Sequence, residues 1–237
     1  MDKNYDILYV RSKNSDFKNF LYSKLDIQVV ELLEHLKSCT EVYIFSGIIR
    51  DYFLNNNSIR DLDIVLGEQL DLSFINKHYF PNIKIKRNNF GGYKVFVNSF
   101  RIDIWSIDCT WGIIKERRSA TKHSLIHSAF FNFSAILYSL NDEEFYCDDI
   151  FTTFLNKRVI DVVYEENPNI PLCIINALYY KTKLSMPLSA KLKRWIKNNF
   201  SSELDFTEIQ ISHFGNVVFS EKQINRFLIF CALDSKI

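Results

Sequence analysis

The run Asp61-Leu62-Asp63-Ile64-Val65-Leu66 sets two carboxylates two residues apart inside an otherwise apolar stretch. In an extended strand, residues two apart share a face. Asp61 and Asp63 therefore point one way, while Leu62 and Ile64 point the other way into a core. A fold that accepts this strand must bury one face and give two adjacent anions a counter-charge on the other. Without it, one carboxyl is driven to take a proton. A hard divalent cation resolves the conflict, and oxygen ligands suit Mg2+ or Mn2+.

A third carboxylate belongs to the same pattern. In FRIDIW, residues 100–105, Phe100, Ile102 and Ile104 form one face, and Arg101, Asp103 and Trp105 form the other. If this strand lies beside residues 61–66, Asp103 completes a three-carboxylate cluster. Such a cluster holds two metal ions roughly 3.5–4 Å apart. Upstream, residues 41–45 read as a short buried strand that ends at Ser46-Gly47, and residues 48–54 read as a helix. A helix start offers N–H groups and partial positive charge to phosphate oxygens, and a glycine lets a phosphate approach the backbone. Arg50, one turn in, either reaches the same anion or pairs with a nearby carboxylate.

The rest of the chain reads as a mixed α/β front and a helical back, with the boundary near residue 150. Residues 26–38 carry Val29, Val30, Leu32, Leu33 and Leu36 at helical spacing. A further helix is expected at 72–79 and a strand at 82–87. Two strands, 93–97 and 100–107, flank Asn98-Ser99 as a hairpin. A strand at 131–140 is expected to pair with 144–147. Helices are expected at 154–163, 172–184, 190–198 and 222–233.

Composition limits the function classes. Apolar residues make up 47% of the 237, enough for a sizeable core, and the net charge of +1 gives no global field that would point to nucleic acid. Five cysteines without a C-x-x-C pair favour free thiols in a reducing cytoplasm over disulfides or zinc. No run reaches 18 apolar residues and no signal peptide is recognisable, so no membrane association is expected. His123 and His127 have the i, i+4 spacing of a zinc helix, but Ser124 stands where a metalloprotease needs Glu. No P-loop or dinucleotide-binding glycine pattern occurs. From 167 to 202 there are six basic residues, among them Lys181, Lys183, Lys193 and Arg194, and no acid; Tyr179, Tyr180 and Trp195 are interleaved. That is either a surface for single-stranded nucleic acid or a solvated helix face with its rings in the core. Lys115, Arg117, Arg118 and Lys122 form a second basic run. Gly91-Gly92 is either a plain turn or a close approach to a nucleotide.

Strand, small-residue-Gly turn, helix, Asp-x-Asp, then a later strand with one more Asp resembles the DNA polymerase β nucleotidyltransferase superfamily. The nearer likeness is to the head and neck of CCA-adding enzymes and bacterial poly(A) polymerases. Ser46-Gly47-Ile48-Ile49-Arg50-Asp51-Tyr52-Phe53-Leu54 and Asp61-Leu62-Asp63-Ile64-Val65 stand in the family's two motif positions. Fainter echoes lie at 131–138, 146–163 and 171–180. The resemblance implies an α+β fold: a polymerase-β-like head over residues 1–150, with a mixed β-sheet flanked by helices, and a small helical neck over 151–237. It implies a template-independent nucleotidyltransferase that binds an NTP or dNTP at Ser46, Gly47 and Arg50. Two Mg2+ or Mn2+ ions would sit at Asp61, Asp63 and Asp103. The acceptor would be a nucleic-acid 3′-hydroxyl or a growing oligonucleotide, with a protein partner left open. By analogy, compact members serve in antiviral defence or as toxins acting on tRNA ends. Other readings are transfer to a small molecule or a protein hydroxyl, and a degenerate nucleotide- or RNA-binding subunit. The chain departs from the family at Ser46, at Ser128-Ala129-Phe130, and at Cys173, Asn176 and Tyr179, so the family's base-reading neck does not carry over.

Overall fold

Among the described residues seven strands pair into one sheet, and its order positions the acidic strands. The computed structural model describes residues 4–56, 59–72, 83–88, 91–98 and 100–233. The chain divides into two units, Met1–Ala129 with Phe133–Asn156, and Phe130–Asn132 with Lys157–Ile237.

The first unit opens with helices α1 (Ile7–Arg11), α2 (Asn14–Lys24) and α3 (Ile27–Cys39). β1 (Val42–Phe45), α4 (Gly47–Phe53) and β2 (Asp61–Leu66) follow, then β3 (Ile83–Arg87), β4 (Tyr93–Val97) and β5 (Phe100–Ser106). The short helices α5 (Trp111–Lys115) and α6 (Lys122–Ile126) lead to β6 (Ile136–Ser139), β7 (Glu144–Cys147) and α7 (Asp149–Lys157). The sheet order is β3-β4-β5-β2-β1-β6-β7. β2 and β5 are parallel, and every other described neighbour pair is antiparallel. This is an α+β architecture with a mixed sheet flanked by helices.

Local chemistry explains the elements. Asp26 caps α3 by accepting from the Gln28 amide at 2.9 Å, and its Val29, Leu32, Leu33 and Leu36 are fully buried. β1 buries Val42–Ile44, and β2 buries Leu62 and residues 64–66. An aromatic cluster fills the core: the Phe17 ring lies 4.9 Å from those of both Tyr138 and Phe145, and 5.2 Å from that of Tyr52. Gly91 takes φ +86°, and a Cβ on Gly92 would stand 2.8 Å from the Ile104 carbonyl oxygen and 3.0 Å from the Trp105 Cβ. The glycine pair thus serves the turn into β4 and the contact of β4 with β5.

The second unit holds α8 (Ile170–Leu184), α9 (Ala190–Asn199), α10 (Phe206–Phe214) and α11 (Glu221–Leu233). Trp195 is buried against Phe130 at 4.8 Å and donates its ring N–H to the Glu165 carbonyl at 2.9 Å. No helix among the described residues is long and apolar enough to cross a membrane. All five cysteines are free thiols.

Three expectations need correction. The strand expected over 131–140 shrinks to Ile136–Ser139. Phe131 bridges to Val162, and Asn132 accepts from the Asp161 amide at 3.0 Å and donates to the Val159 carbonyl at 2.9 Å. These bonds draw 130–132 into the second unit. The helix expected over 154–163 runs instead over Asp149–Lys157, because Ile160 and Val162 are spent on bridges to Leu188 and Phe131. α10 was not expected, although Asp205 accepts from the Thr207 and Glu208 amides and Gly215 closes the helix at φ +80°. The helix expected at 72–79 falls outside the described residues from 73 onward.

Gly92→Ala should lower stability by roughly 1–3 kcal/mol in urea unfolding, because the β4–β5 backbone must shift to admit the methyl group. A neutral result would remove the packing role assigned to Gly92.

Candidate active site

The parallel register of β2 and β5 sets Asp61 opposite Arg101 and Asp63 opposite Asp103. Directly paired residues share a face, so three carboxylates and one guanidinium emerge together. On the other face, Leu62, Ile64, Ile102 and Ile104 are buried, at most 1% exposed. The alternation that buries these aliphatics forces the acids outward. A one-residue slip in either strand would reverse the arrangement.

The acids are crowded and poorly solvated. Burial raises Asp63 from its usual 3.8 to about 7, and the charges of Asp61 and Asp103 add to the rise. Burial also raises Asp103, against the opposing pull of Arg101. The charges of Arg101 and Arg60 offset the rise at Asp63 only in part, and Asp103 Oδ1 is buried with no hydrogen-bond partner. Arg101 Nη2 donates to Asp61 Oδ2, and Arg101 Nε stands 3.4 Å from Asp103 Oδ2. Arg60, on the solvent side, donates to Asp61 at 2.9 Å. As placed, the described residues gather no group of three or more His, Cys, Asp or Glu that would cage an ion. The donor chemistry nonetheless fits a hard cation: carboxylate oxygens only, one of them orphaned at Asp103.

The turn ahead of α4 is strained. Ser46 has φ 60° and ψ −100°, a region that glycine occupies at ease and serine does not. Its hydroxyl donates to Ser134 Oγ at 2.8 Å and its amide to the Ile136 carbonyl at 3.4 Å, contacts that hold the conformation. A Cβ on Gly47 would meet nothing within 4 Å, so the first turn of α4 is open to an approaching group. Of the two roles that the sequence leaves to Arg50, the structure displays the carboxylate pair. Arg50 is 4% exposed, donates from Nε to Asp51 at 2.7 Å and lies 5.2 Å from the Phe133 ring centre.

The basic residues of the second unit divide. Lys183 and Arg194 are exposed, while Lys181 and Lys193 converge on the half-exposed Phe230 ring at 5.2 and 4.8 Å. The Tyr179 ring lies tilted against that of Phe214 at 5.1 Å, and the Tyr180 ring stands edge-on to that of Phe131 at 5.9 Å. Phe230 was missed, because its lysine neighbours come from other helices and no spacing signals them. In the first unit, His127 pairs with Asp148 at 2.6 Å beneath the stacked His123 ring, and Lys122 pairs with Asp142 at 2.6 Å.

No protein-family model matches the sequence, and no curated protein matches it. Solved structures do. A CCA-adding enzyme in complex with CTP shares 17% identity over 91% of this chain and 54% of that one, with a TM-score of 0.65. The Thermotoga maritima CCA-adding enzyme complexed with tRNA gives the same values. A CCA-adding enzyme with ATP shares 20% identity over 92% of this chain and 51% of that one, with a TM-score of 0.56. The chain spans about half the length of these proteins. Its fold is similar to that of these CCA-adding enzymes over the matched residues.

An acid whose value is higher folded than unfolded withholds stability once ionised. The loss sets in as pH rises above the unfolded value near 4 and is complete above the folded value of about 7. Metal-free Asp63→Asn should therefore exceed the wild type in stability by roughly 2 kcal/mol at pH 8, solvent screening allowed for. The gap should narrow steadily toward pH 5. Thermal unfolding in EDTA across that range measures it, and a gap that does not change with pH would contradict the account of Asp63.

Proposed function

We propose that this chain, built on the nucleotidyltransferase fold, transfers a nucleoside monophosphate from an NTP or dNTP to a hydroxyl acceptor without a template. The acceptor is the 3′-hydroxyl of a nucleic acid or of a growing oligonucleotide. The observation that carries the reading is the direct pairing of Asp63 with Asp103 on parallel strands, with Asp61 on the same face. The strained Ser46 turn, with open space at Gly47, stands at the end of β1, which pairs with β2. Solved neighbours of the same fold carry CTP, ATP and tRNA in their descriptions, which supports a triphosphate donor and a nucleic-acid acceptor.

In this reading the acceptor oxygen attacks the α-phosphorus, the bond to the bridging oxygen breaks, and pyrophosphate leaves. Ser46 and Gly47 present backbone to the triphosphate, with Arg50 stiffening the helix behind them through Asp51 and Phe133. Asp61, Asp63 and Asp103 would hold two Mg2+ or Mn2+ ions, which when bound supply charge neutralisation at the phosphates and a more acidic acceptor hydroxyl. Asp103 would complete the metal site and help activate the acceptor hydroxyl. In-line placement of the acceptor contributes through proximity. Lys181 and Lys193 beside Phe230 suit a strand end: the ammoniums meet phosphates and the ring stacks on a base. Lys183 and Arg194 extend that charge. The free thiols fit a reducing cytoplasm. A role in antiviral defence, or in modifying tRNA ends, depends on the acceptor.

A panel of labelled NTPs and dNTPs, with and without RNA or DNA primers, should give primer extension or short oligonucleotides with stoichiometric pyrophosphate. Asp61→Ala combined with Asp63→Ala should reduce incorporation by at least about 10³-fold, the loss expected when several kcal/mol of charge stabilisation disappear. Undiminished incorporation by that variant would remove these residues from the chemistry. Label appearing only on small molecules or protein would replace the acceptor.

A further inference from the structure

Arg101 occupies a position that the proposed chemistry cannot leave undisturbed. It lies on β5 directly opposite Asp61 and two residues before Asp103. Its Nη2 donates to Asp61 Oδ2, and its Nε lies 3.4 Å from Asp103 Oδ2. One planar guanidinium thus spans two of the three acids. The bridge is uneven: its Asp61 end is hydrogen-bonded, while at the Asp103 end Arg101 Nε and Asp103 Oδ1 are buried polar atoms without a hydrogen-bond partner. A salt bridge formed for stability alone would use the guanidinium fork in bidentate fashion. This one is stretched across two carboxylates and leaves its Asp103 end incomplete.

We infer that Arg101 is an internal counter-ion that holds the site closed in the absence of metal, and that divalent-cation binding is an exchange in which its guanidinium leaves Asp61 and Asp103. The inference rests on the metal-dependent reading above and adds a property of this chain's own residue. The same carboxylate oxygens cannot serve both partners, because a cation that takes Asp61 Oδ2 and Asp103 Oδ2 removes the acceptors that hold Arg101. The failure of the described acids to gather into an ion cage follows directly, since two of them are turned onto the guanidinium. Arg60 suits this role less well, because its side chain is 59% exposed.

Two measurements test the exchange, and neither requires turnover. The first is Mn2+ binding by calorimetry to wild type, Arg101→Gln and Arg101→Lys without nucleotide. Arg101→Gln should bind Mn2+ about tenfold or more tightly than wild type, the effect of removing one charged competitor. Arg101→Lys, which keeps the charge but loses the fork, should fall between. The second uses wild type alone and so survives any misfolding of the variants: phenylglyoxal modification of Arg101, read by mass spectrometry. Saturating Mn2+ should accelerate modification of Arg101 severalfold and leave Arg11 on α1 unchanged. Equal Mn2+ affinity in Arg101→Gln and wild type, or modification that Mn2+ slows or leaves unaltered, would overturn the exchange while leaving the metal site standing. Absence of Mn2+ binding in all three proteins would overturn both.

Discussion

The pairing of β2 with β5 is the constraint from which the candidate site follows. These strands are distant in sequence, parallel, and central in the sheet. Their register is fixed by four buried aliphatics, Leu62, Ile64, Ile102 and Ile104, whose exposure would cost several kcal/mol of hydrophobic burial. The hydrophobic face therefore determines where the charged face points. The sheet gathers three acids at no further conformational expense, since their positions are already set by the packing of residues on the opposite side.

That arrangement leaves an electrostatic debt. Asp63 sits among like charges on a half-buried face, and Asp103 is likewise raised toward its neutral form. Folded proteins seldom tolerate such crowding unless a ligand relieves it. Ser46 adds a second local cost: a β-carbon forced into glycine territory, held by hydrogen bonds to Ser134 and Ile136. Strain in the turn and repulsion in the strands lie on elements joined through β1.

Much of this was legible in the residues. The alternation in DLDIVL and FRIDIW assigned faces correctly, because period two is a steric property of extended backbone. Helix α3 was readable from its aliphatic spacing. The adjacency of β2 and β5 was only a condition in the sequence reading, since parallel pairing across a long connection leaves no local mark. The same limit hid Phe230 between Lys181 and Lys193, and it hid the Asn132 contacts that shorten β6. The contact of Arg50 with Phe133, more than eighty residues further along the chain, likewise left no local mark. α10 is a different case: its Asp205 cap, Glu208 and closing Gly215 were local signals, outweighed by weak hydrophobic periodicity.

The most direct test of the central claim is a crystal structure determined with Mn2+ and a non-hydrolysable nucleoside triphosphate, using anomalous scattering to locate the ions. The account predicts anomalous peaks within coordination distance of Asp61, Asp63 and Asp103, with the triphosphate at Ser46 and Gly47. Manganese bound elsewhere, with the three carboxylates apart and the nucleotide away from the Ser46 turn, would contradict it.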